Sequence, residues 1–317
     1  MSTEATELGR RLRERDLGAA PAVLNLVEST TRRDEVPALL AEVSPAALGG
    51  EAPGHLVGIT GPPGAGKSTL LSALVAEWRG RGRTVAVLAV DPSSRRSGGS
   101  LLGDRARIDF DPADPGVFIR STAAGGHLGG LAPATRAAAH ALAAAFDVVV
   151  IETVGVGQSE TDVAEAADTV AVIVQPGSGD VLQFLKAGIM EIPDVLVVTK
   201  SDLGKVALRA RRDLNAALRS VGARSTPVVA VSSVSPVTGV DDLVDALEAH
   251  RAALDLERRR LDARRASALA DFVAEHGDRG MRAVGGRRTA LRWLAQQDAG
   301  LDVAALVKAL EEQAAKA

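Results

Sequence analysis

The stretch Leu56-Val-Gly-Ile-Thr60, running straight into Gly61-Pro-Pro-Gly-Ala-Gly-Lys-Ser68, decides the fold class. A short β-branched run reads as a buried strand, and the G-x-x-x-x-G-K-[ST] pattern after it reads as a phosphate-binding loop that opens a helix near Ser68. The glycines let backbone N–H groups turn inward around phosphate oxygens, and the helix N-terminus adds the positive end of its dipole. Lys67 supplies a point charge to the β- and γ-phosphates, and the Ser68 hydroxyl is a ligand for Mg²⁺. The expected nucleotide cradle is Gly61, Pro62, Pro63, Gly64, Ala65, Gly66, Lys67, Ser68 and Thr69; Thr69 also reads as local packing or capping.

Outward from that loop, apolar runs alternate with helical segments, the pattern of a mostly parallel sheet flanked by helices. The expected strands are Leu56 to Thr60, Val85 to Val90, Val117 to Ile119, Val148 to Ile151, Val170 to Val174, Val195 to Val198 and Val228 to Val231. Ser68 to Trp78, Ala134 to Ala145, Leu182 to Met190, Lys205 to Val221 and Val240 to Arg251 read as helices. Residues 1–50 form an N-terminal helical segment with Leu8, Leu12, Val23, Leu24 and Val27 as apolar faces, residues 51–251 an α/β P-loop domain, and residues 252–317 a C-terminal helical extension. In that extension Leu254, Leu261 and Ala268 fall seven apart, the narrow seam of a long helix that packs on its own chain or pairs with a second copy. A Gly- and Arg-rich loop (Gly277 to Arg288) and a last helix with Val303, Leu306, Val307 and Leu310 on one face complete it.

Composition narrows the chemistry. The 317 residues suffice for about two domains, and 37 basic against 40 acidic residues leave a net charge of −3, against a surface built mainly for nucleic acid. With no cysteine there is no thiol nucleophile, no disulfide and no Cys-ligated metal, and five histidines without a cluster argue against a metallocentre carrier. No apolar run approaches the ~18 residues that cross a bilayer, so a cytoplasmic protein without membrane contact is expected.

Phosphoryl transfer needs positioning and charge neutralisation, so carboxylates should converge on the loop. Asp91 and Glu152 follow expected strands, at the sheet edge where open α/β folds bind ligands, and Asp104 sits in a Gly-rich segment. With Ser68 they form the expected metal set, although an acid after a strand also reads as a helix cap. Glu152-Thr-Val-Gly155 has the form of an acid-x-x-Gly switch, in which the Gly155 N–H contacts the γ-phosphate and Gln158 orients water. The expected catalytic set is thus Lys67, Glu152 and Gln158. Thr199-Lys200-Ser201-Asp202 follows a late strand: the Asp202 carboxylate matches the paired donors of guanine N1 and N2, the Lys200 stem covers a base face, and Ser232 or Ser233 closes over the base. No arginine is placed by sequence as a finger; Arg95, Arg96, Arg105 and Arg107 are candidates.

The segments GPPGAGKST, VDPSS, GGSLLGDRARI, ETVGVGQSE and TKSD occur in one order, and together they resemble the MeaB/ArgK group of P-loop GTPases from about residue 20 to the C-terminus. The resemblance implies a chaperone that binds GTP and GDP with Mg²⁺ and serves an adenosylcobalamin-dependent acyl-CoA mutase of the methylmalonyl-CoA mutase type, gating cofactor delivery and protecting the mutase. It further implies a homodimer through the C-terminal extension, with an adenosyltransferase as a further candidate partner. Gln175 to Lys186 resembles the family's additional switch loop, with Asp180, Gln183 and Lys186 as its polar members. The Asn usual in the guanine motif is Thr199 here, which predicts a weaker brace on loop and base and looser GTP selectivity. An ATP-dependent kinase or ATPase linked to amino-acid transport, the role attached to ArgK-type names, is the second reading.

Overall fold

A computed structural model describes residues 3–91, 108–123, 131–153, 159–177 and 193–316. The chain divides into two compact units, residues 55–132 with 146–254, and residues 1–54 with 133–145 and 255–317.

The first unit holds the sheet. Its described strands are β1 (His55–Thr60), β2 (Val85–Asp91), β3 (Val117–Ala123), β4 (Val148–Thr153), β5 (Thr169–Val174), β6 (Val195–Val198) and β7 (Val228–Ala230), in the spatial order β3-β2-β4-β1-β5-β6-β7, with every pairing parallel. Strands β1, β4, β5 and β6 are buried along their whole length, which is why they are Val- and Ile-rich runs without alternation. Helices α5 (Lys67–Gly80) and α9 (Val240–Ala253) share a core with the strands through Leu70, Leu74, Trp78, Leu243 and Leu247. Helix α7 (Ser159–Ala166) lies so close to β1 that a Cβ on Gly58 would sit 2.8 Å from Val163. Helix α8 (Lys205–Ser220) buries Ala207, Ala210, Leu214, Ala217 and Leu218. The sequence-predicted helix at Leu182 to Met190 lies outside the described residues.

Three aspartates finish the N-terminal edge of the sheet. Asp147, one residue before β4, accepts from the Thr84 N–H at 2.8 Å; Asp168, before β5, accepts from the Leu56 N–H at 2.9 Å; Asp194, before β6, accepts from the Val170 N–H at 2.8 Å. Each carboxylate satisfies a strand-entry N–H that the ladder leaves over.

The second unit is helical: α1 (Thr3–Arg13), α2 (Ala20–Glu28), α3 (Val36–Glu42), α4 (Pro45–Leu48), α6 (Pro133–Leu142), α10 (Leu256–Ala283), α11 (Arg287–Leu294) and α12 (Val303–Ala314). Here the expected seam is replaced. Leu254 caps the preceding helix in extended conformation, and the buried face of α10 runs through Arg260, Arg264, Ala268 and Phe272, four residues apart. The Arg260 guanidinium donates to the Ala52 and Gly54 carbonyls, both at 2.6 Å, and Arg264 donates to Glu51 at 2.8 Å and to the Ala299 carbonyl at 2.9 Å. The expected loop from Gly277 to Arg288 is mostly helical too: α10 breaks at Gly277 (φ 56°, ψ −156°), continues to Ala283, and α11 begins at Arg287. Phe272, Leu269, Leu294, Leu306 and Leu310 close an apolar cluster among α10, α11 and α12.

Candidate functional site

The site forms where β1 ends. Gly61 adopts φ 149°, and a Cβ there would lie 2.4 Å from the Ile173 carbonyl oxygen, so only glycine lets the loop turn off β1 against β5. The loop then enters α5 through Gly66, the N-cap residue, in left-handed conformation (φ 92°). Lys67, 7 % exposed, folds back over the loop and donates to the Gly61 carbonyl at 2.8 Å and the Pro62 carbonyl at 3.3 Å. Ser68 is half-buried on the first turn; Pro63, Gly64 and Thr69 are exposed.

Beside β1, β4 carries Glu152 within its last residues, buried at 3 % exposure, so the strand runs beyond the Ile151 end read from sequence. Registers Ile59↔Glu152 and Ala89↔Glu152 put this acid between β1 and β2. Asp91 is the last residue of β2, where the Val90↔Thr153 pairing ends. Of the remaining expected residues, Asp104, Gly155, Gln158, Asp180, Gln183 and Lys186 lie outside the described residues, as do Arg95, Arg96, Arg105 and Arg107.

A pair missed in the sequence sits directly beneath the loop. Thr153 Oγ1 donates to Thr60 Oγ1 at 3.0 Å, joining the residue after Glu152 to the residue before Gly61, and both are buried. The only signal was positional: threonines at the ends of two runs that prove to be neighbours in register. Ser72 is a second such residue. Its hydroxyl lies 3.2 Å from the Ser68 carbonyl and accepts from the Asp109 N–H at 2.8 Å, fixing the return of the chain toward Ile108 against the first turns of α5.

The guanine-type loop is seated on the phosphate loop. Thr199, 3 % exposed, donates from Oγ1 to the Ala65 carbonyl at 2.7 Å, with the Val174 carbonyl farther off at 3.4 Å. The expected loss of the brace at this position is therefore replaced by a hydroxyl brace on the phosphate loop. Lys200, in left-handed conformation (φ 54°), reaches the Gly64 carbonyl at 3.4 Å. Asp202 is exposed, and its Oδ1 accepts from the Ser232 hydroxyl at 3.2 Å, so Ser232 rather than Ser233 orients that carboxylate. Ser232 is held by a reciprocal backbone bridge to Thr238.

A seven-stranded parallel sheet, a phosphate loop between its central strand and a helix, and a Thr-Lys-Ser-Asp loop packed on that phosphate loop define a P-loop nucleoside-triphosphatase fold. Residues 20–280 match the family described as methylmalonyl Co-A mutase-associated GTPase MeaB, and the chain belongs to that family. A Pyrococcus abyssi protein named as a GTPase is 43 % identical over 267 residues, 82 % of this chain and 80 % of that one. The methylmalonic aciduria type A homolog, mitochondrial, of Caenorhabditis elegans is 41 % identical over 220 residues, 65 % of this chain and 54 % of that protein. The crystal structure of a LAO/AO transport system kinase matches with a TM-score of 0.65 at 28 % identity, covering 93 % of this chain and 98 % of the other. No helix among the described residues is long and apolar enough to cross a membrane.

Proposed function

We propose that the chain is a Mg²⁺-dependent GTPase whose nucleotide state sets its affinity for an adenosylcobalamin-dependent acyl-CoA mutase of the methylmalonyl-CoA mutase type. In this reading it acts in the cytoplasm as a homodimeric chaperone that gates cofactor delivery and protects the mutase. The observation that carries the nucleotide part is the Thr199–Asp202 loop held against the phosphate loop. The family's description as mutase-associated and the methylmalonic aciduria name of a relative support the partner.

The residues divide the work. Backbone N–H groups of the loop and the Lys67 ammonium take the phosphate oxygens, and the Asp202 carboxylate, oriented by Ser232, accepts from guanine N1–H and N2–H. The buried Glu152 carboxylate, with Gln158, orders the attacking water. The donor set Ser68, Asp91, Asp104 and Glu152 offers oxygen alone, which fits Mg²⁺. When bound, Mg²⁺ neutralises charge on the β- and γ-phosphoryl oxygens. The transport-kinase name belongs to a neighbour 28 % identical, whereas relatives above 40 % identity are named as GTPases or for methylmalonic aciduria, which favours the GTPase reading.

Intrinsic hydrolysis should be slow, and a partner that completes the site can raise it by ~10³ to 10⁵. Couplings of about 1–3 kcal/mol suffice to bias partner binding by nucleotide state. The test measures GTP hydrolysis, and binding to the cognate mutase, with GTP, with GDP and without nucleotide. Acceleration by the mutase together with nucleotide-dependent binding is expected; absence of both overturns the reading.

A further inference from the structure

Residues 203–224 carry six basic side chains and one acid, a net charge of +5 in a chain whose total is −3. Lys205, Arg209, Arg211, Arg212, Arg219 and Arg224 are all exposed. Along α8, Lys205, Arg209, Arg212 and Arg219 recur at spacings of four, three and seven, which sets them on one face, opposite the face that Ala207, Ala210 and Leu214 bury. Arg32, Arg79, Arg81 and Arg264 each meet a carboxylate at 2.7 or 2.8 Å. On α8 the single carboxylate, Asp213, lies 3.9 Å from Arg209, and among the described residues no acid pairs with the other five cations.

Two of these placements work against the helix itself. Like charges three and four apart repel, and Lys205 sets a cation at the helix N-terminus with no acid in the first turn to offset it. An acidic surface laid on this face would relieve both. Apolar side chains are exposed with the cations. Of the seven large apolar residues exposed among the described residues, Leu203, Val206, Leu208 and Val221 lie on or beside α8, and Val234 and Val237 follow β7. Five of the six cations are arginines, the charged residue enriched at protein interfaces, whereas residues 203–237 hold no aromatic ring on which a nucleic-acid base would stack. Resting on the partner reading above, we propose that the α8 face is the docking surface for an acidic face of the mutase, which charge draws in and Val206 and Leu208 seat. Helix α8 begins three residues after Asp202, so nucleotide held by that carboxylate acts on the first turn of the docking helix.

The test titrates the full chain with the cognate mutase by calorimetry, with GTP and with GDP, at low and at high salt. Arg212→Glu and Arg219→Glu together should weaken mutase binding by about tenfold or more and flatten its salt dependence, while GTP affinity and intrinsic hydrolysis stay as in the wild type. Should that variant not fold, Arg212→Ala with Arg219→Ala decides, with a smaller loss of the same kind. Leu208→Ala should weaken binding and leave the salt dependence in place. Mutase binding that survives charge reversal with the same salt dependence overturns the surface and leaves the partner reading standing. A wild-type chain that binds no mutase in any nucleotide state sinks the partner reading, and the surface with it. Two further outcomes overturn the proposal by naming another occupant. One is a random-sequence RNA duplex that binds the wild type more tightly than the mutase does and is lost on charge reversal. The other is a smaller oligomer on sedimentation of the charge-reversed variant, which would make α8 a contact between copies of this chain.

Discussion

Lys67 occupies two carbonyls of its own loop at 2.8 and 3.3 Å, so its ammonium is already desolvated and positioned where triphosphate oxygens would compete for it. Lys67→Ala should lower GTP affinity by at least about 100-fold, since it removes the one charged donor of the loop, and calorimetry reads this directly. Thr60 and Thr153 test the frame beneath. Thr153→Val swaps hydroxyl for methyl at nearly constant volume and should cost about 1 kcal/mol in denaturant unfolding. The Thr60→Val, Thr153→Val double variant should cost less than the sum of the two, because both remove one bond; full additivity would show that the 3.0 Å contact contributes nothing. The phosphate loop was legible in sequence because its chemistry is local, eight residues wide. This threonine pair was not, because Thr60 and Thr153 meet only when β4 inserts next to β1, and nothing in either segment records that neighbour.

At the scale of elements, the strands were readable because burial on both faces demands continuous Val and Ile, which also marked the ends of β1, β5 and β6 at Thr60, Val174 and Val198; the ends of β3 and β4 were not readable. Expected to stop at Ile119, β3 runs to Ala123, since Arg120, Ser121 and Thr122 pair with Leu88, Ala89 and Val90 of β2 whatever their polarity. Strand starts carry a signal that hydropathy overlooks: aspartate just before β4, β5 and β6. Asp168→Ala should leave the buried Leu56 N–H unsatisfied and destabilise the chain by about 1–3 kcal/mol, measured by thermal unfolding; Asp168→Asn, which keeps an acceptor, should cost less. A different aspartate sets an acid limit. Arg79 grips Asp114 through Nε at 2.8 Å and Nη2 at 2.9 Å, and the Gly116 N–H donates to Asp114 at 2.8 Å, so the carboxyl is held below the usual carboxylate range, the Arg79 hydrogen bond being the largest cause. The unfolded chain then takes up that proton first. The stabilisation is complete above the ordinary carboxylate pKa of about 3.9 and is lost as pH falls toward the lowered folded value. Asp114→Asn should thus lower stability at pH 7 and flatten the acid limb of the melting curve below about pH 4; an unchanged limb would remove this pair from the account.

At the scale of the molecule, the helical unit is assembled from three separated stretches, and the residues that tie 255–317 to 51–54 are arginines, which sequence patterns assign to solvent. That is why the seam expected at Leu254, Leu261 and Ala268 gave way to one through Arg260, Arg264, Ala268 and Phe272: the long stems of Arg260 and Arg264 occupy core positions while their guanidinium groups satisfy carbonyls from residues 51–54 and from Ala299. Arg264 and Glu51 are 6 % and 11 % exposed in their side chains, at 2.8 Å from one another. Removing one partner of such a pair strands a buried charge, at a cost of about 3–5 kcal/mol, whereas removing both costs less. Arg264→Ala should therefore lower the melting temperature of the full chain, and make residues 255–317 more susceptible to limited proteolysis. Adding Glu51→Ala to it should recover part of the loss. Arg264→Lys should fall between, since an ammonium cannot hold Glu51 and the Ala299 carbonyl with the same planar fork. If the double variant melts no higher than Arg264→Ala alone, the stem of Arg264, and not its charge, is what packs this unit.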